Sequence, residues 1–304
     1  MSAALRNIPI LPVAAVVVLV FAGFYDLRLW VLLAVWLGAW YINTRLARSD
    51  GPVVAVWVPV IFGLTLVGLW ELTVRLYEIS PVILPAPSAI ALAFAQNTDI
   101  LWADFVQTIL KGALVGYVIG CGAAFLVALA VDRSPFLQKG MLPVGSFLAA
   151  LPIVGTAPIF VMWLGFGPAS KAAVVVAMVF FPMLVNAVEG LKASDKMQRD
   201  LMHTYAASYW QSLLKLRLPT ALPFLFNGLK ICTTLALIGA IVAEFFGSPT
   251  VGMGFRIKIE VGRLAMDVVW AEITVAALAG TGFYGLMTLL ERQLTFWHPS
   301  QRRA

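Results

Sequence analysis

Eight apolar stretches, each near the length of a bilayer crossing, run along this 304-residue chain at about 8–25, 28–42, 53–77, 107–131, 141–164, 170–190, 220–246 and 268–291. A spanning helix needs roughly 20 predominantly apolar residues. In hydrocarbon every backbone N–H and C=O must be satisfied inside the segment, and stretches of this length satisfy it as helices. The expected fold class is therefore all-α and polytopic. Only 12% of the residues are charged, about half the share of a soluble domain, so there is too little charge for a water-facing surface. The breaks carry turn chemistry: Tyr25-Asp26-Leu27-Arg28, Arg45 to Pro52, Asp132-Arg133-Ser134-Pro135 and Gly165-Phe166-Gly167-Pro168.

Charge bias predicts the orientation. With the N-terminus inside, fourteen of the 21 lysines and arginines fall on inner segments, which predicts both termini in the cytoplasm. The same count puts residues 191–219 inside. The net charge of +6 is accounted for by such loops and requires no nucleic acid. Cys121 and Cys232 lie in apolar runs and read as small packing residues. The first two stretches follow one another closely, which favours retained helices over a cleaved leader.

Two regions are expected on the outer face. Residues 78–106 hold Pro81, Pro85 and Pro87, then a short apolar helix near 88–96; residues 247–267 open with Gly247, Pro249, Gly252 and Gly254 and continue as an amphipathic segment. Gly112, Gly116 and Gly120 recur every four residues, a spacing that lets helices approach closely in lipid. Such a face serves ordinary packing or a sliding contact. Glu71 and Arg75 are one turn apart and predict an ion pair. Glu244 lies in an apolar run, either as a pathway or gate residue beside Phe245 and Phe246 or as an interfacial cap. No second buried acid or histidine forms a proton relay with it, which weighs against a proton-driven secondary transporter. The sequence offers no nucleophile elbow, no metal-ligand cluster and no Gly-Lys dipeptide for a phosphate loop. No catalytic, cofactor-binding or metal residue is therefore predicted, and any ATP must be bound by another chain.

The one long polar interruption runs from Leu191 to Pro219. Its Asp200-Leu201-Met202, Ala206 and Leu218-Pro219 fall at the spacing of the Glu-Ala-Ala, Gly and Leu-Pro positions of a coupling loop, with Leu201, Met202 and Ala206 departing from the pattern. In order along the chain stand Trp70-Glu71, Leu84-Pro85-Ala86-Pro87-Ser88, Leu151-Pro152, Pro158-Ile159-Phe160, Trp163 to Gly167, Ala243-Glu244 and Gly252-Met253-Gly254. Together these resemble the permease subunits of binding-protein-dependent ABC importers, in the nitrate/sulfonate/taurine branch.

The resemblance covers about residues 53–298 and implies a six-helix permease domain there; the two apolar stretches at 1–52 lie outside it and read as two extra N-terminal transmembrane helices, with a cytoplasmic tail at 299–304. It implies a multi-pass protein of the bacterial inner membrane. The implied partners are cytoplasmic ABC ATPase subunits, an extracytoplasmic substrate-binding protein and a second permease copy. It gives the coupling loop Asp200, Leu201, Met202, Ala206, Trp210, Leu213, Leu214, Arg217 and Pro219; Trp210, Leu213 and Leu214 offer apolar anchors, and Asp200, Lys215 and Arg217 polar rim contacts. Residues 243–249 are similar to branch members that carry nitrogen heterocycles such as pyrimidine vitamin precursors or riboflavin. Taurine, alkanesulfonate or nitrate is the alternative cargo. A secondary transporter or channel would favour inverted repeats with midplane charges, neither of which is evident here, and a membrane enzyme would need a catalytic set.

Overall fold

The computed structural model describes residues 26–48, 52–149, 152–247 and 250–297. Among these the chain is helical, with no strand. The helices are α1 Leu27–Leu46, α2 Pro52–Leu76, α3 Pro87–Gln96, α4 Thr98–Arg133, α5 Pro135–Ala149, α6 Ile153–Leu164, α7 Pro168–Lys192, α8 Lys196–Thr204, α9 Tyr209–Gly247, α10 Met253–Gly262 and α11 Met266–Leu294. Six of them (α1, α2, α4, α7, α9 and α11) have the length and apolarity to cross a membrane. The stretch at 8–25 lies outside the described residues.

One predicted span is corrected. Residues 141–164 do not form a single crossing but two shorter helices, α5 and α6, and Pro152 before α6 is extended at φ −69° and ψ 107°. A proline lacks the N–H that would continue α5, and its ring disfavours helical geometry in the residue before it. The apolar stretch near 88–96 forms the short helix α3, and the amphipathic segment within 247–267 is helical over Met253–Gly262, as α10.

The described chain divides into two compact units. One holds the residues up to Gln96 with Leu264–Trp270; the other holds Asn97–Arg263 with the residues from Ala271 onward. In the first unit α1 and α2 form an antiparallel hairpin. Asp26 caps α1 by accepting from the Arg28 N–H at 2.9 Å, and the Tyr77 hydroxyl beyond the end of α2 donates to Asp26 at 2.8 Å. These bonds hold the Asp26 carboxyl below the usual carboxylate range and push the Tyr77 phenol up. Glu71 pairs with Arg75 at 2.6 Å and accepts from both the N–H and the hydroxyl of Ser88, which caps α3. The motif residues Trp70-Glu71 and Pro87-Ser88 thus meet in space. Trp70 packs edge-on against Trp270, ring centroids 4.9 Å apart.

The second unit is built on α4, α7 and α9. Gly116 and Gly120 of α4 face Val175 and Val179 of α7; a Cβ on Gly116 would come within 2.5 Å of the Val175 Cβ. Small residues there bring the two backbones together. Tyr117, Cys121, Ala124, Val179, Met183, Cys232 and Ala236 form the continuous core, with the cysteines acting as compact fillers. Two π-helical segments interrupt the long rods, Val106–Ala113 in α4 and Leu213–Arg217 in α9. Each widens a turn, a device often found at functional positions.

Candidate functional site: a clasped loop and a buried ionic knot

The 191–219 segment is ordered by its own side chains. Asp195 accepts from the Met197 N–H, while Gln198 returns a bond to the Asp195 backbone and starts α8. Ser208 and Gln211 repeat the device at the start of α9. Each capping box satisfies N–H groups a helix start leaves open. Between them Ala206 adopts φ +51°. That is the left-handed region glycine enters without penalty, and Ala206 occupies the motif's glycine position.

A clasp fixes this loop to the bundle. The Arg217 guanidinium forms a two-pronged pair with the Asp132 carboxylate, one contact at 2.8 Å, and also donates to the Leu191 carbonyl at 3.0 and 3.1 Å. The Tyr209 hydroxyl donates to Asp132 at 2.8 Å, and Arg133 lies over the Tyr209 and Trp210 rings at 4.2 and 4.7 Å. The planar fork of arginine suits such two-point recognition, and its charge is attracted to ring faces. The π segment Leu213–Arg217 carries Arg217 into this position.

Leu213 and Arg217, expected to face a partner, are turned to the bundle instead: Leu213 is buried and Arg217 is engaged in the clasp. Asp200, Leu201, Ala206, Trp210 and Leu214 are exposed, with Met202 and Pro219 half-buried. Asp132 and Arg133 escaped recognition because a charged pair before Ser-Pro reads as turn chemistry. Their signal was an acid and a base together at the end of an apolar helix.

At the other end of the same helices lies a second polar centre. Lys171 lies in the first turn of α7 and Leu191 in its last, about 30 Å apart along the helix by rise. Glu244, near the end of α9, is 1% exposed. Its Oε1 accepts from the Lys171 ammonium at 3.2 Å, and its Oε2 from the Thr108 hydroxyl at 2.7 Å and the Gly254 N–H at 3.1 Å. Asp104 accepts from the Gly252 N–H at 2.6 Å and from Arg256 Nε at 2.9 Å. Thr108, in the first π segment, accepts from the Met253 N–H at 2.8 Å. The knot therefore satisfies three successive N–H groups at the start of α10, where acids also match the helix dipole.

Gly252 makes this approach possible. Its φ is +131°, and a Cβ on it would come within 2.5 Å of the Glu244 carboxylate. Phe245 is half-buried and Phe246 is 40% exposed. The sequence shows no second buried acid to accompany Glu244; the fold brings Asp104 from another helix to the same place, and Glu272 of α11 is also wholly buried. A third pair, Lys230 with Glu291 at 2.8 Å, joins α9 to α11.

Bilayer-length helices, a buried ionic knot at one end and a clasped loop with exposed apolar side chains at the other are the anatomy of a membrane transport permease. Residues 116–296 match the family of binding-protein-dependent transport system inner membrane components, and the chain belongs to that family. It is 29% identical over 243 residues to the formylaminopyrimidine transport permease protein ThiX of Halalkalibacterium halodurans, covering 80% of this chain and 96% of that one. It is 32% identical over 257 residues to the riboflavin transport system permease protein RibX of Chloroflexus aurantiacus, covering 84% and 94%. The taurine transport system permease protein TauC of Escherichia coli is 29% identical over 240 residues, covering 77% and 86%. The chain is thus an ABC importer permease, a multi-pass inner-membrane subunit whose relatives are transport subunits and not enzymes.

Proposed function

We propose that this chain forms the translocation pathway of an importer for a small nitrogen heterocycle, of the pyrimidine-precursor or riboflavin class. It works as two copies, with a separate ATPase bound at the 191–219 loop and a substrate-binding protein at the opposite face. Both termini and the loop are cytoplasmic in this reading. One observation carries the coupling role: the loop exposes Leu201, Trp210 and Leu214 while the Asp132–Arg217 clasp joins it to the bundle. Exposed apolar and aromatic anchors suit a partner groove, and a rigid attachment passes the partner's movement to the helices.

The heterocycle reading draws on the similarity to the formylaminopyrimidine and riboflavin permeases and on the exposed Phe246 ring, which offers a stacking face. Glu244 is occupied by Lys171 and Thr108 and serves to hold the α10 segment in place. The test is reconstitution with the partner ATPase and substrate-binding protein. Stimulated ATP hydrolysis in liposomes and tight calorimetric binding of a hydroxymethylpyrimidine, a formylaminopyrimidine or riboflavin are expected. Binding of taurine, an alkanesulfonate or nitrate alone would reject the cargo, and failure of the ATPase to co-purify would reject the coupling role.

A further inference from the structure

Between the clasp and the knot, two amides meet across α7 and α9. Asn227 of α9 donates from its Nδ2 to Oδ1 of Asn186 at 2.9 Å, and Asn186 of α7 donates from its own Nδ2 to the Pro182 carbonyl at 2.8 Å. Gly228 admits the pair, since a Cβ there would come within 2.9 Å of the Asn186 Cβ. Both residues lie in helices long and apolar enough to cross a membrane. By rise, Asn227 stands about 15 Å from Arg217 of the clasp and about 25 Å from Glu244 of the knot.

The order of these bonds fixes which atoms remain. The Pro182 carbonyl only accepts, so it takes an N–H of Asn186 and turns the Asn186 oxygen towards Asn227. That oxygen takes one N–H of Asn227. Among the described residues the Asn227 side chain makes this one hydrogen bond, and Asn227 is exposed. Its carbonyl oxygen and second N–H are left open. The same face of α9 carries Phe224, Ile231, Thr234 and Ile238, all exposed and three or four residues apart. An unpaired amide facing hydrocarbon is costly. Polar groups in crossing helices face the bundle interior or a water-filled cavity and mark substrate paths. A stripe with Asn227 and Thr234 at its middle therefore suits a wall of the pathway better than a lipid-facing surface.

The open amide is selective. With one acceptor and one donor free, it matches a partner that offers a donor beside an acceptor, as asparagine does at an adenine edge. An aminopyrimidine offers an exocyclic N–H beside a ring nitrogen. The pyrimidinedione ring of a flavin offers a ring N–H beside a carbonyl. A sulfonate or nitrate group offers acceptors alone and leaves the Asn227 oxygen unmatched.

We propose that Asn227, oriented by Asn186, is a cargo-recognition point on the wall of the pathway, where it hydrogen-bonds the donor–acceptor edge of a nitrogen heterocycle in transit. The inference rests on the pathway and cargo reading above. Phe224, three residues away on the same face, offers the cargo ring a stacking surface.

The test uses the full-length chain with its partner ATPase and substrate-binding protein in lipid nanodiscs, with Cys121 and Cys232 replaced by Ala. I231C, one turn from Asn227 on the same face, is the reporter and leaves Asn227 intact. It should react with a small water-soluble methanethiosulfonate, which attacks the thiolate that forms in water and not in lipid. The binding protein is loaded with hydroxymethylpyrimidine or riboflavin, whichever calorimetry shows it to hold. Loaded binding protein with ATP should slow the reaction several-fold relative to unloaded binding protein. N227L should abolish this protection, N186L should weaken it, and N227Q, which keeps the amide, should retain part of it. In proteoliposomes N227L should lower the initial rate of uptake about tenfold, the loss expected of one good amide pair. A reporter that does not react, protection unchanged by N227L, or wild-type uptake by N227L would overturn the proposal. So would a disulfide between two copies of I231C that forms regardless of cargo, which would place this face between copies. A binding protein that holds only taurine, an alkanesulfonate or nitrate removes the cargo reading and this inference together. A heterocycle that is bound and carried but leaves I231C unprotected removes this inference alone.

Discussion

Ala206 shows how one residue departs from its motif and keeps the motif's backbone. It stands where the loop pattern places glycine, and it still adopts φ +51°. A side chain in that region costs energy that glycine avoids. A206G should therefore stabilise the loop by up to about 1 kcal/mol, seen as slower protease cleavage between α8 and α9. Asp132 should act in the opposite sense. D132N leaves the Arg217 guanidinium, which is 15% exposed, without its counter-charge, at a cost on the order of 3 kcal/mol. Faster cleavage of the 196–217 loop and weaker capture of the ATPase are expected, with membrane insertion unchanged; a loop as resistant as wild type would dismiss the clasp. The exposure of Trp210 and Leu214 could be expected from the amphipathic loop. The inward turn of Leu213 and Arg217 could not, because it depends on a π segment that no residue type announces.

At the scale of the element, helix existence was legible and helix interruption was not. Apolar runs predict α2, α4, α7, α9 and α11, since a bilayer-length apolar stretch leaves the backbone one solution. The split of 141–164 into α5 and α6 escaped that pattern because the apolar run continues across the break. Lys171 and Asp104 were hidden for a related reason: periodicity along one helix says nothing about which acid or base another helix brings to it. Composition likewise marked Tyr25-Asp26-Leu27-Arg28 as a turn, but the link from Asp26 to Tyr77, 51 residues away, belongs to the hairpin. The depressed ionisation of Asp26 makes that link dependent on pH. Its contribution is fully present above about pH 3.9, the ordinary aspartate value, and is lost as pH falls through the lower value of the folded hairpin. D26N should weaken α1–α2 association at neutral pH, measured by cross-linking between cysteines on the two helices. The difference from wild type should shrink as the pH is lowered below about 3.9. A difference constant with pH would show that Asp26 contributes no charge to the link.

At the scale of the whole molecule, the unit built on α4, α7 and α9 has two polar ends, and their sides of the membrane are open to a direct measurement. After Cys121 and Cys232 are replaced by Ala, M197C should resist an impermeant thiol reagent in intact cells and react once the membrane is opened. V261C, at the far end of the bundle, should react in intact cells. Met197 and Val261 are both exposed, so protection of the first reports its compartment. The reverse pattern would invert the orientation drawn from charge bias. The long rods α7 and α9 carry an anchored point near each end: Leu191 and Arg217 at the clasp, Lys171 and Glu244 at the knot. Packing of Gly239 against Met178 and Val175 and of Gly228 against Met183 and Asn186 leaves no slack between the rods. The pair therefore behaves as a stiff lever gripped at both tips. Swinging a 30 Å arm by 10° would carry its far tip about 5 Å, roughly one helical turn, so a small rotation at the clasped end would be read out as a large displacement at the start of α10.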